Sequence, residues 1–278
     1  MFAGRRLLIA TKHKKEQVIA PLLEQALGVT CFTNPSLDTD LFGTFTGEVE
    51  READPVTVLR KKCLHAMELQ QCDLAVASEG SFGPHPSLLF VPAGDEWMIL
   101  IDRKNNLELK VRLVSTETNF DGRTVHSEEE LRSFLEVVGF PAHAVILRKN
   151  RQEATDIYKG LTDLEEVLGL FHQLRDQYGE VFAETDMRAL YNPARMNQIR
   201  ELTHKLIELI QSECPYCGRP GFTVTEVVPG LPCSNCQLPT RAALKKIRCC
   251  AGCSYTEELL YPNGKQAEDP MWCDHCNP

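Results

Sequence analysis

Four C-x-x-C pairs crowd the C-terminal quarter of this chain: Cys214-Pro-Tyr-Cys217, Cys233-Ser-Asn-Cys236, Cys250-Ala-Gly-Cys253 and Cys273-Asp-His-Cys276. Each pair presents two thiolates from one tight turn, and two such turns complete a tetrahedron around a zinc ion. Four pairs therefore predict two zinc sites, each with four cysteine ligands. With every ligand position taken by sulfur, neither site keeps a place for water, which makes them structural. The simplest pairing is sequential: Cys214, Cys217, Cys233 and Cys236 in one site, Cys250, Cys253, Cys273 and Cys276 in the other. The spacing also admits a cross-braced pairing, first pair with third and second with fourth. Cys249 is a spare thiol that replaces Cys250 if that turn is C-x3-C, and His275 is read as an exposed passenger. Rubredoxin-like iron is the competing metal. The tail, residues 211–278, has too few apolar side chains to build a core alone, and metal supplies what the core lacks.

Nine of the twelve cysteines lie in that tail, and the other three, Cys31, Cys63 and Cys72, are isolated. Such clustering in a reducing compartment points to metal rather than to disulfides. The formal charge of −9 and a tail with six Lys/Arg against seven acids disfavour nucleic acid as a partner, because phosphate neutralisation needs a basic surface. No apolar run reaches the length of a membrane span, and the start, MFAGRRLLIATKHKKEQ, lacks the apolar core of a secretory signal. The expected location is cytoplasmic.

Ahead of the tail, residues 1–210 read as one α/β domain with a mixed sheet flanked by helices. A strand at Arg6–Ala10 precedes a helix over Glu16–Leu27, in which Pro21 either sits as a kink or marks the start. Asp54-Pro55 caps a second helix, and LAVA at 74–77 is a short buried strand followed by a stiff loop, ASEGSFGPHP. EWMILID and residues 107–116 form a hairpin. A capping box opens a helix after Ser127, Thr162 with Glu165 opens another, and Asn192-Pro193 starts a long one.

Three polar constellations carry candidate chemistry. Lys12, Lys14 and Lys15 crowd a helix N-terminus, where free N–H groups suit phosphate or carboxylate but where clustered cations are otherwise unfavourable. Glu48 lies in the glycine-flanked segment GTFTGEVER. Glu79 follows the LAVA strand, at a sheet edge of the kind where open α/β folds bind ligands, with His85 as a proton shuttle or a loop-bonding residue. Farther on, ETDMRA and NPARM place Arg188 and Arg195 where either can grip an anion or belong to a buried salt-bridge cluster. Asp95-Glu96 either extends the acidic site or, as the favoured reading, is a solvent-exposed loop.

The order of these motifs, a strand ending Ala10-Thr11, a lysine-bearing turn, a G-T-F segment near acids, a helix containing Lys62 and an A-x-E-G-x-x-G loop, resembles the inosine/xanthosine triphosphate pyrophosphatase superfold over roughly the first 100 residues. The resemblance implies that Lys12, Lys14 and Lys15 meet phosphates, that Lys62 supports the phosphate chain, and that Glu48 and Glu79 hold Mg2+ or activate water. The sequence departs from that family where His13 replaces the usual asparagine, where Ser78-Glu79 replaces an acid pair, and where the serine-histidine-arginine base-recognition motif is absent. ASEGSFGPHP, ETDMRA and the cysteine tail together resemble an uncharacterised bacterial family with a C-terminal zinc ribbon. The resulting expectation is a Mg2+-dependent hydrolase of a phosphorylated small molecule or nucleotide, with two structural zinc ions. The alternative is a non-catalytic ligand sensor or scaffold whose ribbons bind a protein partner.

Overall fold

In a computed structural model the chain is described at residues 1–34, 54–153 and 155–278. It divides into two compact units, Met1–Leu206 and Ile207–Pro278. The larger holds two sheets with flanking helices. The first sheet has the order β2-β1-β3-β4-β5, formed by Thr30–Phe32, Arg6–Ala10, Leu74–Pro84, Pro92–Asp102 and Leu107–Ser115. β1 runs parallel to β2 and β3, whereas β3, β4 and β5 are successive antiparallel neighbours. The second sheet, of order β6-β9-β7-β8, is antiparallel throughout and joins Gly122–Val125, Val181–Thr185, Val145–Arg148 and Ile157–Leu161. β2, β6 and β8 are short or weakly alternating, and the sequence pattern does not reveal them or a second sheet.

The helices start where their caps dictate. α1, Glu16–Leu27, runs through an exposed Pro21 and ends on left-handed Gly28. α2, Pro55–Gln70, opens on Asp54, whose side chain accepts from the N–H groups of Val56 and Thr57. α3, Glu128–Val138, is capped by Ser127, while Glu130 accepts the His126 N–H, closing the turn from the other side as in a capping box. α4, Leu164–Tyr178, is capped by Asp163, one residue beyond the Thr162 that the pattern favours, because Asp163 reaches the Glu166 N–H. α5 spans Pro193–Gln211.

Apolar clusters follow from this on both sheets. Leu59, Cys63, Ala66 and Met67 of α2 pack on Leu8, Ala10, Ala75, Ala77, Ile99 and Ile101 of the first sheet. Phe134 of α3 and Phe171 of α4 lead the core of the second sheet. None of the described helices is long and apolar enough to cross a membrane.

One sequence expectation is overturned here. ASEGSFGPHP is not a loop after a four-residue strand: β3 continues to Pro84 and pairs with β4 from Leu74↔Asp102 to Pro84↔Pro92. The glycines that suggest a turn instead admit a close neighbour. Gly80 lies opposite Glu96, and a Cβ on it would stand 2.2 Å from Glu96 Oε1. Glu96, expected in an exposed loop, is consequently an inward-facing residue of β4 with no exposed surface.

The smaller unit is an antiparallel meander of β10, Thr223–Pro229, β11, Ala243–Cys249, and β12, Thr256–Leu260. Its core cluster consists of Cys214, Phe222 and Cys250.

Candidate functional site

The eight tail cysteines form two groups: Cys214, Cys217, Cys250 and Cys253 in one, Cys233, Cys236, Cys273 and Cys276 in the other. The sequential pairing is thus corrected to the cross-braced one. The reason is strand length. β10 separates Cys217 from Cys233, and a strand of 7 residues spans about 23 Å, so the first two turns lie at opposite ends of the sheet. The register Thr223↔Cys249 places the third turn beside the first, and a bridge from Cys233 to Glu268 leads the last segment back to the second.

All four turns are built alike. The residue after each second cysteine donates its N–H to the carbonyl of the first: Gly218 to Cys214, Gln237 to Cys233, Ser254 to Cys250 and Asn277 to Cys273, at 2.8–3.0 Å. Gly218, Gln237 and Ser254 take positive φ for this, so only the first turn advertises itself with glycine. Sulfur–sulfur distances of 3.7 Å (Cys214–Cys253), 3.6 Å (Cys217–Cys250), 3.8 Å (Cys233–Cys276) and 3.6 Å (Cys236–Cys273) exclude disulfides. They match the edge of about 3.8 Å expected of a tetrahedron with metal–sulfur bonds near 2.3 Å. Backbone N–H groups of Cys253 and Gly252 pull the Cys250 thiol down to about 6, and those of Cys236 and Asn235 pull Cys233 down to about 7. Both groups can hold a metal ion. Cys249 stands outside them and contacts the Cys250 carbonyl, and His275 is exposed.

The larger unit holds a second arrangement. Where β1 ends, its last pairing with β3 is Ala10↔Ala77, and the next residues of β3 meet side chains instead of a strand. Lys15, at the entry to α1, donates to the carbonyl and hydroxyl oxygens of Ser78, both at 3.0 Å. Lys62 of α2 pairs with the Glu79 carboxylate. On β4, Glu96 accepts from Arg195 of α5 at 2.6 Å, and Arg195 also donates to the Met187 carbonyl at 2.5 Å. Asn192 caps α5, its side-chain oxygen accepting the backbone N–H of Arg195 at 3.0 Å. Lys15, Lys62, Ser78, Glu79, Glu96 and Arg195 are all buried. Burial first, and the Arg195 charge second, lower Lys15 to about 7.

A family model matches residues 62–278, under the description domain of unknown function, DUF6671. The chain belongs to this family. No curated protein matches it. The DUF6671 match takes in Lys62, Glu79, Glu96, Arg195 and all eight tail cysteines, and begins after Lys15.

Of the residues singled out from the sequence, Lys15, Lys62, Glu79 and Arg195 are brought together. Lys12 and Lys14 lie exposed on the same turn as Lys15. His85 is drawn into its own turn, its Nδ1 accepting the N–H groups of Ser87 and Leu88 at 3.1 Å, and β3 carries it about 20 Å along from Glu79. Arg188 is held by the fully buried Asp186 at 2.6 Å and lies over the Tyr191 ring. Glu48 lies outside the described residues. Ser78 and Glu96 are not among the site residues named from the sequence: Ser78 stands there only beside Glu79, and the favoured reading of Glu96 is an exposed loop residue. The signal for Glu96 was its even spacing from Met98 and Leu100 on one face of β4, opposite a glycine.

Proposed function

We propose that the larger unit binds the phosphate of a small phosphorylated molecule or nucleotide and hydrolyses it, and that the two cysteine groups hold structural zinc. The observation that carries the first reading is the convergence of the Lys15 and Lys62 amino groups on Ser78 and the Glu79 carboxylate, consecutive residues of β3, at the C-terminal end of its parallel pairing with β1. That edge is where open α/β sheets place ligands. In this reading the lysines neutralise the phosphate, exposed Lys12 and Lys14 draw it in, and Glu79 orients the attacking water.

The Mg2+ implied by the pyrophosphatase resemblance is a different matter. Glu79 is engaged by Lys62, and among the described residues it belongs to no group of three or more acidic, histidine or cysteine side chains placed to hold a cation. No step is therefore derived through Mg2+. For the tail, four sulfurs per site at tetrahedral spacing favour zinc. Exposed Tyr216 and Trp272 beside the cysteine turns support a protein partner there rather than a nucleic acid.

The test is to incubate the metal-loaded chain with a nucleotide panel and Mg2+ and to measure phosphate and pyrophosphate release. Turnover that Glu79→Gln abolishes supports the hydrolase. Binding without turnover by the wild-type chain makes the unit a sensor, and neither binding nor turnover removes the phosphate reading altogether.

A further inference from the structure

Among the described residues the Lys15 amino group has two acceptors, both on Ser78. A neutral amine has two N–H groups and is satisfied by that pair, whereas an ammonium has three and requires one acceptor more. Among the described residues, the charges that act on Lys15 are those of Lys62 on α2 and Arg195 on α5, both cations, and of Glu79 on β3 and Glu96 on β4, both carboxylates; all four are buried. A charged Lys15 with two acceptors is costly away from water. Lys12, His13, Lys14 and Glu16 flank Lys15 on its own turn, and both of those lysines are exposed to solvent. The lowering of Lys15 to about 7 agrees with this arrangement.

We infer that an anion binding beside Ser78 brings one proton into the cluster on Lys15, because the anion supplies the third acceptor and a negative charge together. The inference rests on the phosphate-site reading above and adds its regulation: occupancy follows pH as well as ligand concentration. In the range where Lys15 is neutral in the ligand-free chain, affinity for a non-titrating anion falls about tenfold per pH unit.

Calorimetry of the full, metal-loaded chain with sulfate tests this, since sulfate is a tetrahedral dianion that takes up no proton of its own near neutral pH. Heats in two buffers of different ionisation enthalpy count the protons. The expected result is an uptake approaching one proton per sulfate at pH 8, declining below pH 7, and binding without proton uptake in Lys15→Arg. Sulfate binding with no linked proton in the wild-type chain overturns the inference and leaves the anion site standing. Failure of sulfate, phosphate and pyrophosphate to bind at any pH overturns the site, and the inference with it. The wild-type proton count decides the matter even where a Lys15 variant does not fold.

Discussion

The two units solve opposite problems with polar side chains. In the tail, eight thiols lie around two points, and two of them, Cys214 and Cys250, form the core cluster together with Phe222. In the larger unit, apolar cores already hold two sheets together, and the charges of Lys15, Lys62, Glu79, Glu96 and Arg195 are buried beside them. With metal held as proposed, the tail needs its polar groups in order to fold. The larger unit folds despite the desolvation cost of its own, which is why that cluster is read as functional and the cysteines as structural.

The strongest way to break this contrast is to strip the metal. Binding to thiolate sites of this kind is coupled to folding and amounts to on the order of 10 kcal/mol. A chelator should abolish amide protection across Ile207–Pro278 and leave the protection of Met1–Leu206 in place, as read by hydrogen-exchange mass spectrometry. Loss of protection in the larger unit as well would show that the contrast is false. The pairing is sharpened by Cys214→Ser: alkylation should rise at Cys217, Cys250 and Cys253 ahead of Cys233, Cys236, Cys273 and Cys276.

Next in size is Arg195→Met, which leaves the Glu96 carboxylate buried without its partner. Removing one member of a buried pair costs about 3–5 kcal/mol, to be measured by urea unfolding. Pairing Arg195→Met with Glu96→Gln should recover part of that loss, and no recovery would mean that Arg195 matters through Met187 rather than through Glu96. A smaller loss, about 1–3 kcal/mol, is expected of Gly80→Ala, because the new methyl meets the Glu96 carboxylate and its backbone neighbours are fixed in the ladder. An unchanged urea midpoint would show that Glu96 moves aside freely.

The smallest effect per unit change is that of pH. Lys15 titrates near 7 in the folded chain and near 10.5 when unfolded, so between these values the unfolded chain binds more protons. Stability contributed by this group therefore rises with pH across that window, by up to about 1.4 kcal/mol per pH unit, and is flat below it. Lys15→Met should flatten the rise relative to wild type in urea titrations at pH 7, 8 and 9.

The sequence conveyed these two regions unequally. Paired thiols separated by two residues leave little freedom, so all eight ligands could be named from spacing, but their grouping could not, because it depends on β10 carrying the chain to the far end of the sheet. Caps at Asp54 and Ser127 were visible because their side chains act within three residues. Glu96 escaped because its burial is decided by Gly80 and Arg195, residues distant in sequence that meet it only after β3 and β4 have paired. Lysines in a run are likewise indistinguishable until the sheet selects one: Lys15 is drawn inward by Ser78, while Lys12 and Lys14 stay in solvent. Glycine misled in β3, where it marked a turn but makes room, and it was not required to close three of the cysteine turns, which Gln237, Ser254 and Asn277 close equally well.

The interlaced grouping of the cysteines bears on how the tail is assembled. The interval from Cys214 to Cys253 overlaps that from Cys233 to Cys276, so whichever ion arrives first shortens the loop that the other must close. Occupancy then climbs in concert, half-filled chains stay scarce, and a cell short of metal should contain complete and empty tails side by side.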